Sequence, residues 1–304
     1  MTEEGHGRGT VEESPDAALK ARPQSLMLTF LGTFVLRRDI CVFSGSYIDV
    51  FARLGVSEQA VRSTLSRMAR RGLLSRRRRG RRVYFGLTPH SAEILADGER
   101  RIWETGVLNL DGDAPWTLLA FSLPEAWQRL RHDLRSRLVW AGFGPLQSGL
   151  WVAPSRVDVT GIITELGLDA HVRVFRARLG PPTETAQIIA DAYDLDDLRA
   201  RYTSFLERWD VPHPVPEAPD DLARLLLLMT EWLRIVRADP RLPLAHLPEN
   251  WPAVRAQKIV QELHADYLGP ARKIADEILD VIPADPASAA TVRPDAGGGP
   301  DPAG

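Results

Sequence analysis

The chain has 304 residues, 44% hydrophobic and 26% charged, which suits a globular protein of two or three domains. A net charge of -2 excludes a chain that is basic throughout, so any affinity for nucleic acid has to come from one region. Cys41 is the single cysteine, which excludes an intramolecular disulfide and a thiolate metal cluster, and no run approaches the ~20 apolar residues of a membrane span.

Residues 1–23 are polar and aperiodic and are expected to be a disordered lead. Their opening, MTEEGHGRGTVEES, lacks the basic-then-apolar order of a signal peptide, and a cytoplasmic location is the simplest expectation. Residues 24–95 form the first unit. SLMLTFLGTFVLRR reads as an apolar helix with Ser25 as N-cap just after Pro23. The stretch around Cys41, with Ile40, Val42 and Phe43 beside it, points to a buried structural thiol. SGSYIDVFARLG is a second helix, carrying Tyr47, Val50, Phe51 and Leu54 and closed by Gly55. Ser57 is expected to cap a third helix, in which Ala60, Val61, Leu65 and Met68 face inward. That leaves Gln59, Arg62, Ser63, Ser66 and Arg67 on the outer face, until Gly72 stops the helix.

From Gln59 to Ser91 there is no acidic residue, but there are ten arginines. Six of them, Arg76, Arg77, Arg78, Arg79, Arg81 and Arg82, fall in SRRRRGRRVYFGLT, a tight hairpin with Gly80 near its tip and Leu73, Leu74, Val83, Phe85 and Leu87 as its apolar frame. A helix followed by a basic hairpin is the winged form of the helix-turn-helix, which makes double-stranded DNA the expected partner. Short residues let the helix approach the major groove, Gln and Arg can contact base edges, and arginines at a hairpin tip can reach phosphates or the minor groove. The candidate DNA contacts are therefore Ser57, Gln59, Arg62, Ser63, Ser66, Arg67 and the six hairpin arginines.

SAEILADGERRIW forms a helix that leads into a connection over 96–113. Residues 114–180 then read as a strand (WTLLAFSLP), a helix (EAWQRLRHDLRSRLVWAG, with Leu130, Leu134, Leu138 and Val139 inward) and two short strands turning near Ser148-Gly149. A helix over Val157–Leu166 and an alternating strand, AHVRVFRARL, complete the unit. The order βαββαβ is the ferredoxin-like pattern. Residues 183–282 read as helical, with a proline-rich hinge, VPHPVPEAP. In DDLARLLLLMTEWLRIVR a wide apolar face runs through Leu222, Leu225, Leu226, Met229, Trp232, Leu233 and Val236, fitting a core or subunit interface better than a ligand groove. Acids here, among them Asp191, Asp194, Asp196, Asp197, Asp220 and Asp221, balance the N-terminal arginines. From Pro283 onward the Pro-, Gly- and Ala-rich tail, 283–304, is expected to be disordered. The expected fold class is α+β multidomain: a winged helix-turn-helix, a ferredoxin-like middle domain and an α-helical C-terminal domain.

Enzyme readings find little support. The seven histidines, His6, His90, His132, His171, His213, His246 and His264, form no metal-binding spacing, and neither a G-x-S-x-G elbow nor a phosphate-cradling glycine loop is present. No cofactor or metal is expected. The middle unit also resembles the small ferredoxin-like nucleases of CRISPR systems. Those place an acid just after the first strand, where this chain has Ser122 and Pro124; the nearest carboxylate, Glu125, fits the first turn of the next helix instead.

Taken together, RPQSLMLTFLGTFV, GVSEQAVRSTLSRMARRGLL, RRVYFGLTP, WTLLAFSLPE, LVWAGFGPLQSGLWVAP and LPENWP resemble, in order and spacing, the PaaX family of transcriptional repressors named for phenylacetic-acid catabolism. The resemblance runs from about Pro23 to Val281. It implies a homodimer on a palindromic operator, with a recognition helix matching Ser57–Arg71 and a wing matching Ser75–Leu87, and release from DNA by an acyl-CoA effector such as phenylacetyl-CoA. The wing tip, RRRRGRR, is more charged than the family leads one to expect. No motif marks an effector site. CoA phosphates would call for arginines or a helix N-terminus, and Arg129, Arg131, Arg135, Arg137, Arg173, Arg176 and Arg178 of the middle unit are candidates of that kind.

Overall fold

A computed structural model describes residues 22–100, 102–103, 106–110 and 114–284; the expected disordered lead up to residue 21 and the tail from 285 lie outside the described residues. The protein is of mixed α+β class, and its described residues form two four-stranded sheets. It divides into two compact units. Of the described residues, one unit comprises those from 22 to 88 together with 278–284, and the other those within Pro89–Glu277.

The first unit begins with α1 (Pro23–Phe34), β1 (Ile40–Phe43), α2 (Ser44–Ala52) and α3 (Glu58–Arg70). Proline occupies the first position of α1, where its missing N–H costs nothing, so Arg22 rather than Ser25 is the N-cap. Ser25 lies one turn in and gives its N–H to the Arg22 carbonyl at 2.8 Å. Phe30 packs at its centre against Phe34, Tyr47 and Phe51, with ring centroids 5.4–6.1 Å apart. The Tyr47 hydroxyl is fully buried and donates to the Phe85 carbonyl at 3.1 Å, as an aromatic with a polar tip must if it is to be placed in a core. Gly55 ends the second helix as expected: the Val56 N–H reaches back to the Phe51 carbonyl and the Gly55 N–H to that of Ala52, both at 3.0 Å.

Strands β2 (Leu74–Arg79) and β3 (Arg82–Leu87) form the hairpin. Two strands were not foreseen. β1 lies beside β3, with Cys41 opposite Gly86, and β8 (Val281–Pro283) lies beside β1, with Cys41 opposite Ile282. The sheet order is β2-β3-β1-β8. Pro283, read from composition as the start of the tail, is the last residue of β8. Cys41 is fully buried, as expected, and burial pushes its thiol pKa up.

The second unit opens with α4 (Pro89–Arg100) and continues through β4 (Trp116–Phe121), α5 (Gln128–Trp140), β5 (Gly144–Gln147), β6 (Leu150–Ala153), α6 (Thr160–Glu165) and β7 (Val172–Ala177). These strands make one antiparallel sheet in the order β5-β6-β4-β7. One hydrophobic cluster joins Leu119, Trp151 and Val172 to Leu134 and Leu138 of α5 and Ile163 of α6. A second joins Trp116 and Val152 to Ile189 and Ala192 of α7 (Thr185–Ala192). Val139 does not turn inward; it is 53% exposed, one position beyond the buried Leu134–Leu138 spacing. β7 alternates in sequence but not in burial, since Val174 and Phe175 are both exposed. Glu125 lies in a turn ahead of α5, whose first turn carries no acid.

The helical region holds α8 (Leu195–Trp209), α9 (Asp221–Ala238) and α10 (Pro252–Ile278). Asp194 and Asp220 cap α8 and α9, accepting the N–H of Asp197 and Ala223 at 2.9 Å. Leu222, Leu225, Leu226, Met229 and Trp232 of α9 are buried within the chain, together with Leu228 and Ile235, whereas Leu233 and Val236 are only half-buried. Among the described residues no helix is long and apolar enough to cross a membrane.

Candidate nucleic-acid interface

α3 owes its placement to its two ends. Ser57 is extended (φ -65°, ψ 149°) and its hydroxyl accepts the Ala60 N–H at 3.3 Å, as a serine N-cap should. At the other end Gly72 has φ +71°, and the Leu73 N–H returns to the Met68 carbonyl at 2.9 Å. That left-handed residue turns the chain from the helix straight into β2. Between the ends, Val61, Thr64, Leu65 and Met68 are buried. Gln59, Arg62, Ser63, Ser66 and Arg67 are all exposed, and the first four share a shallow depression with Glu58.

Glu58 was not part of the sequence-based site. Its carboxylate accepts the Arg62 Nε–H at 2.6 Å, and both side chains are more than half exposed. Such a surface i,i+4 pair contributes only about 0.3–0.5 kcal/mol, so Arg62 can be drawn away by a stronger anion. Arg67 Nη2 donates to the Thr64 hydroxyl at 3.2 Å.

In the hairpin, Arg79 stands opposite Arg82, leaving a two-residue loop of Gly80 and Arg81. Gly80 has φ +60°, which a side chain would resist. Arg76, Arg78, Arg79, Arg81 and Arg82 are exposed and Arg77 is half-buried; Arg78 donates to the Gly80 carbonyl at 3.0 Å. Arg82 has different company. It ion-pairs with Asp280 at 2.5 Å, and its Cζ lies 5.2 Å from the centre of the Phe43 ring. The Asp280 hydrogen bond holds this guanidinium in its charged form and raises its pKa. Asp280 could not be found by sequence spacing, because 198 residues separate the two side chains.

Elsewhere, four of the middle-domain arginines already have partners. Arg131 donates to the Leu123 carbonyl at 2.9 Å, Arg137 to Glu165 at 2.5 Å, Arg173 to the Val172 carbonyl at 2.8 Å and Arg176 to the Val157 carbonyl at 2.9 Å. Arg129, Arg135 and Arg178 are exposed. Ser122, after β4, gives its N–H to the His171 carbonyl at 3.1 Å. Among the described residues no three His, Cys, Asp or Glu side chains form a group that could hold a metal ion.

This combination, an α+β unit with an exposed cationic helix and hairpin followed by a sheet unit and a helical region, has known counterparts. Residues 22–91 match a model for a PaaX-like protein, residues 109–189 one for the PaaX protein central Cas2-like domain, and residues 193–277 one for the PaaX-like protein C-terminal domain. The chain belongs to the PaaX family. A relative, the transcriptional repressor PaaX of Escherichia coli (strain K12), is 28% identical over 248 residues, spanning 77% of each chain. The uncharacterized protein Rv0674 from Mycobacterium tuberculosis superposes with a TM-score of 0.56 over 85% of this chain and 98% of its own; at 20% identity that likeness concerns the fold alone.

Proposed function

We propose that this protein is a sequence-specific DNA-binding transcriptional regulator, a repressor that acts as a homodimer on double-stranded operator DNA. The observation that carries the reading is the exposed face of Gln59, Arg62, Ser63, Ser66 and Arg67, joined through one glycine turn to a hairpin of exposed arginines. α2, α3 and the hairpin make a winged helix-turn-helix in this reading. α3 enters the major groove, with Ser57 and the short serines near the backbone and Gln59, Arg62 and Arg67 towards base edges. Arg76, Arg77, Arg78, Arg79 and Arg81 take phosphate or the minor groove, while Arg82, expected with them, is paired with Asp280 instead. The strand order β5-β6-β4-β7, with α5 and α6 between strands, supports a ferredoxin-like middle domain. The E. coli relative's name supports the repressor assignment. The family resemblance extends the proposal to a regulated operon of phenylacetate-like aromatic-acid catabolism, an acyl-CoA effector such as phenylacetyl-CoA, and work in the cytoplasm, with no catalytic role.

Fluorescence anisotropy on DNA from upstream of the protein's own gene tests this, against random competitor at roughly physiological salt (a Debye length of ~8 Å). Specific binding that phenylacetyl-CoA weakens ~5–150-fold, a coupling of about 1–3 kcal/mol, is the expected result. Specific binding indifferent to the thioester leaves a ligand-independent DNA-binding dimer. Absence of specific binding overturns the regulator.

A further inference from the structure

Arg82 is the hairpin arginine that meets a carboxylate, and that carboxylate comes from the far end of the described chain. Asp280 is fixed by main-chain bonds rather than by its own side chain. Its N–H donates to the Ser46 hydroxyl at 2.9 Å, and its carbonyl accepts the Phe43 N–H at 2.8 Å. Ser46, only 2% exposed, in turn donates its hydroxyl to the Ile278 carbonyl at 2.9 Å. β8 follows immediately and pairs with β1, and the Ala284 N–H closes the segment on the Asp39 carbonyl at 2.8 Å. The Tyr84 hydroxyl lies 3.2 and 3.3 Å from the two carboxylate oxygens. The acid is thus set in place before any ligand arrives, beside a guanidinium that also lies against the Phe43 ring.

We propose that Asp280 is a positioning residue for the DNA-facing hairpin: it keeps Arg82 in a neutral pair on the sheet and withholds it from the phosphate backbone. This rests on the DNA-binding reading above. A phosphate approaching Arg82 has to displace a preorganised carboxylate and meets its negative charge within a few ångströms, whereas Arg81 beside it is exposed and meets no carboxylate among the described residues. Each cation that neutralises a phosphate steepens the salt dependence of binding by ~0.9 in log–log slope, and a pre-neutralised one adds almost nothing. Because β8 begins at Val281, just past the end of α10 at Ile278, the last helix of the C-terminal region delivers this carboxylate. Drawing β8 away from β1 would return a free cation to the hairpin.

The test measures the salt dependence of DNA binding by the full chain carrying Asp280→Asn, Arg82→Ala, both together, and Arg81→Ala. Asp280→Asn leaves the backbone bonds and a hydrogen-bond acceptor for Tyr84 in place. It should tighten binding to operator and random DNA at low salt and steepen the slope by ~0.9, and adding Arg82→Ala should restore the wild-type slope. Arg82→Ala alone should leave the slope unchanged while Arg81→Ala flattens it by ~0.9, a comparison that stands even if the Asp280 variant folds poorly. An unchanged slope in Asp280→Asn, a steepening that survives Arg82→Ala, or equal flattening by Arg82→Ala and Arg81→Ala would overturn the inference. Failure of the wild-type protein to bind DNA at all would instead overturn the reading beneath it, and the inference with it.

Discussion

Arg62 and Arg79 both lie exposed on the same unit, yet their surroundings differ, and so do the effects expected of their removal. Arg62 projects from a helix face among Gln59, Ser63 and Ser66, where a bidentate contact to a base edge is possible, and its Glu58 partner is too exposed to hold it. Arg62→Ala should therefore cost about 1–3 kcal/mol of operator binding and narrow the gap between operator and random DNA, measured by competition anisotropy. An unaltered preference for operator would mean that another face of α3 reads the groove. Arg79 stands at the hairpin end, with only a two-residue loop beyond it. Arg79→Ala should weaken operator and random DNA by a similar factor and reduce the salt slope by ~0.9, as loss of one phosphate contact does.

Among the elements, α3 is held by its cap and the hairpin by its floor. Ser57→Ala removes the acceptor for the Ala60 N–H, so the unit should lose about 1 kcal/mol in urea unfolding without a change in secondary-structure content. Gly86, next to last in β3, is directly opposite Cys41 of β1. A Cβ there would sit 2.6 Å from the Cys41 Sγ and 2.9 Å from the Ile40 carbonyl oxygen. The thiol is fully buried and the carbonyl is backbone, so neither can step aside without disturbing the β1–β3 pairing. Gly86→Ala should cost about 1–3 kcal/mol, read as a lower urea midpoint, even though alanine is otherwise the mildest replacement.

At the scale of the whole molecule, stability should depend on pH through the helical region. Asp210, at the end of α8, accepts two hydrogen bonds from Arg255 of α10, at 2.7 and 2.6 Å, and these hold its carboxyl below the usual range. Its folded pKa lies under its unfolded one. The stabilisation is therefore complete above the unfolded value of about 3.9 and is lost as pH falls through the folded value. Melting temperatures followed from about pH 6 down to about pH 2.5 should fall less steeply for Asp210→Asn than for the wild type, with the two curves differing mainly in height above about pH 5. Because both partners are partly exposed, the difference should be modest; parallel curves throughout would show that the pair does not set the acid limb.

What is local or periodic in this protein can be read from the residues alone. An acid-free stretch rich in arginine, the inward spacing of Val61, Leu65 and Met68, the Ser57 cap and the glycine turns are all written within a few residues of one another, so α3 and the hairpin were legible with their exposed face. The ordered family segments carried the broader assignment in the same way. Tertiary structure decided what depends on distant partners. Ile40–Phe43 is a short apolar run that becomes a strand only because β3 and β8 lie on either side of it. Val139 faces outward because the buried stripe of α5 is set by what Leu134 and Leu138 meet, not by its own hydrophobicity. The pairing of Arg82 with Asp280 spans 198 residues, and no local period encodes it. Periodicity specifies which face of an element is apolar, but only the folded sheet specifies which remote residue is brought against it.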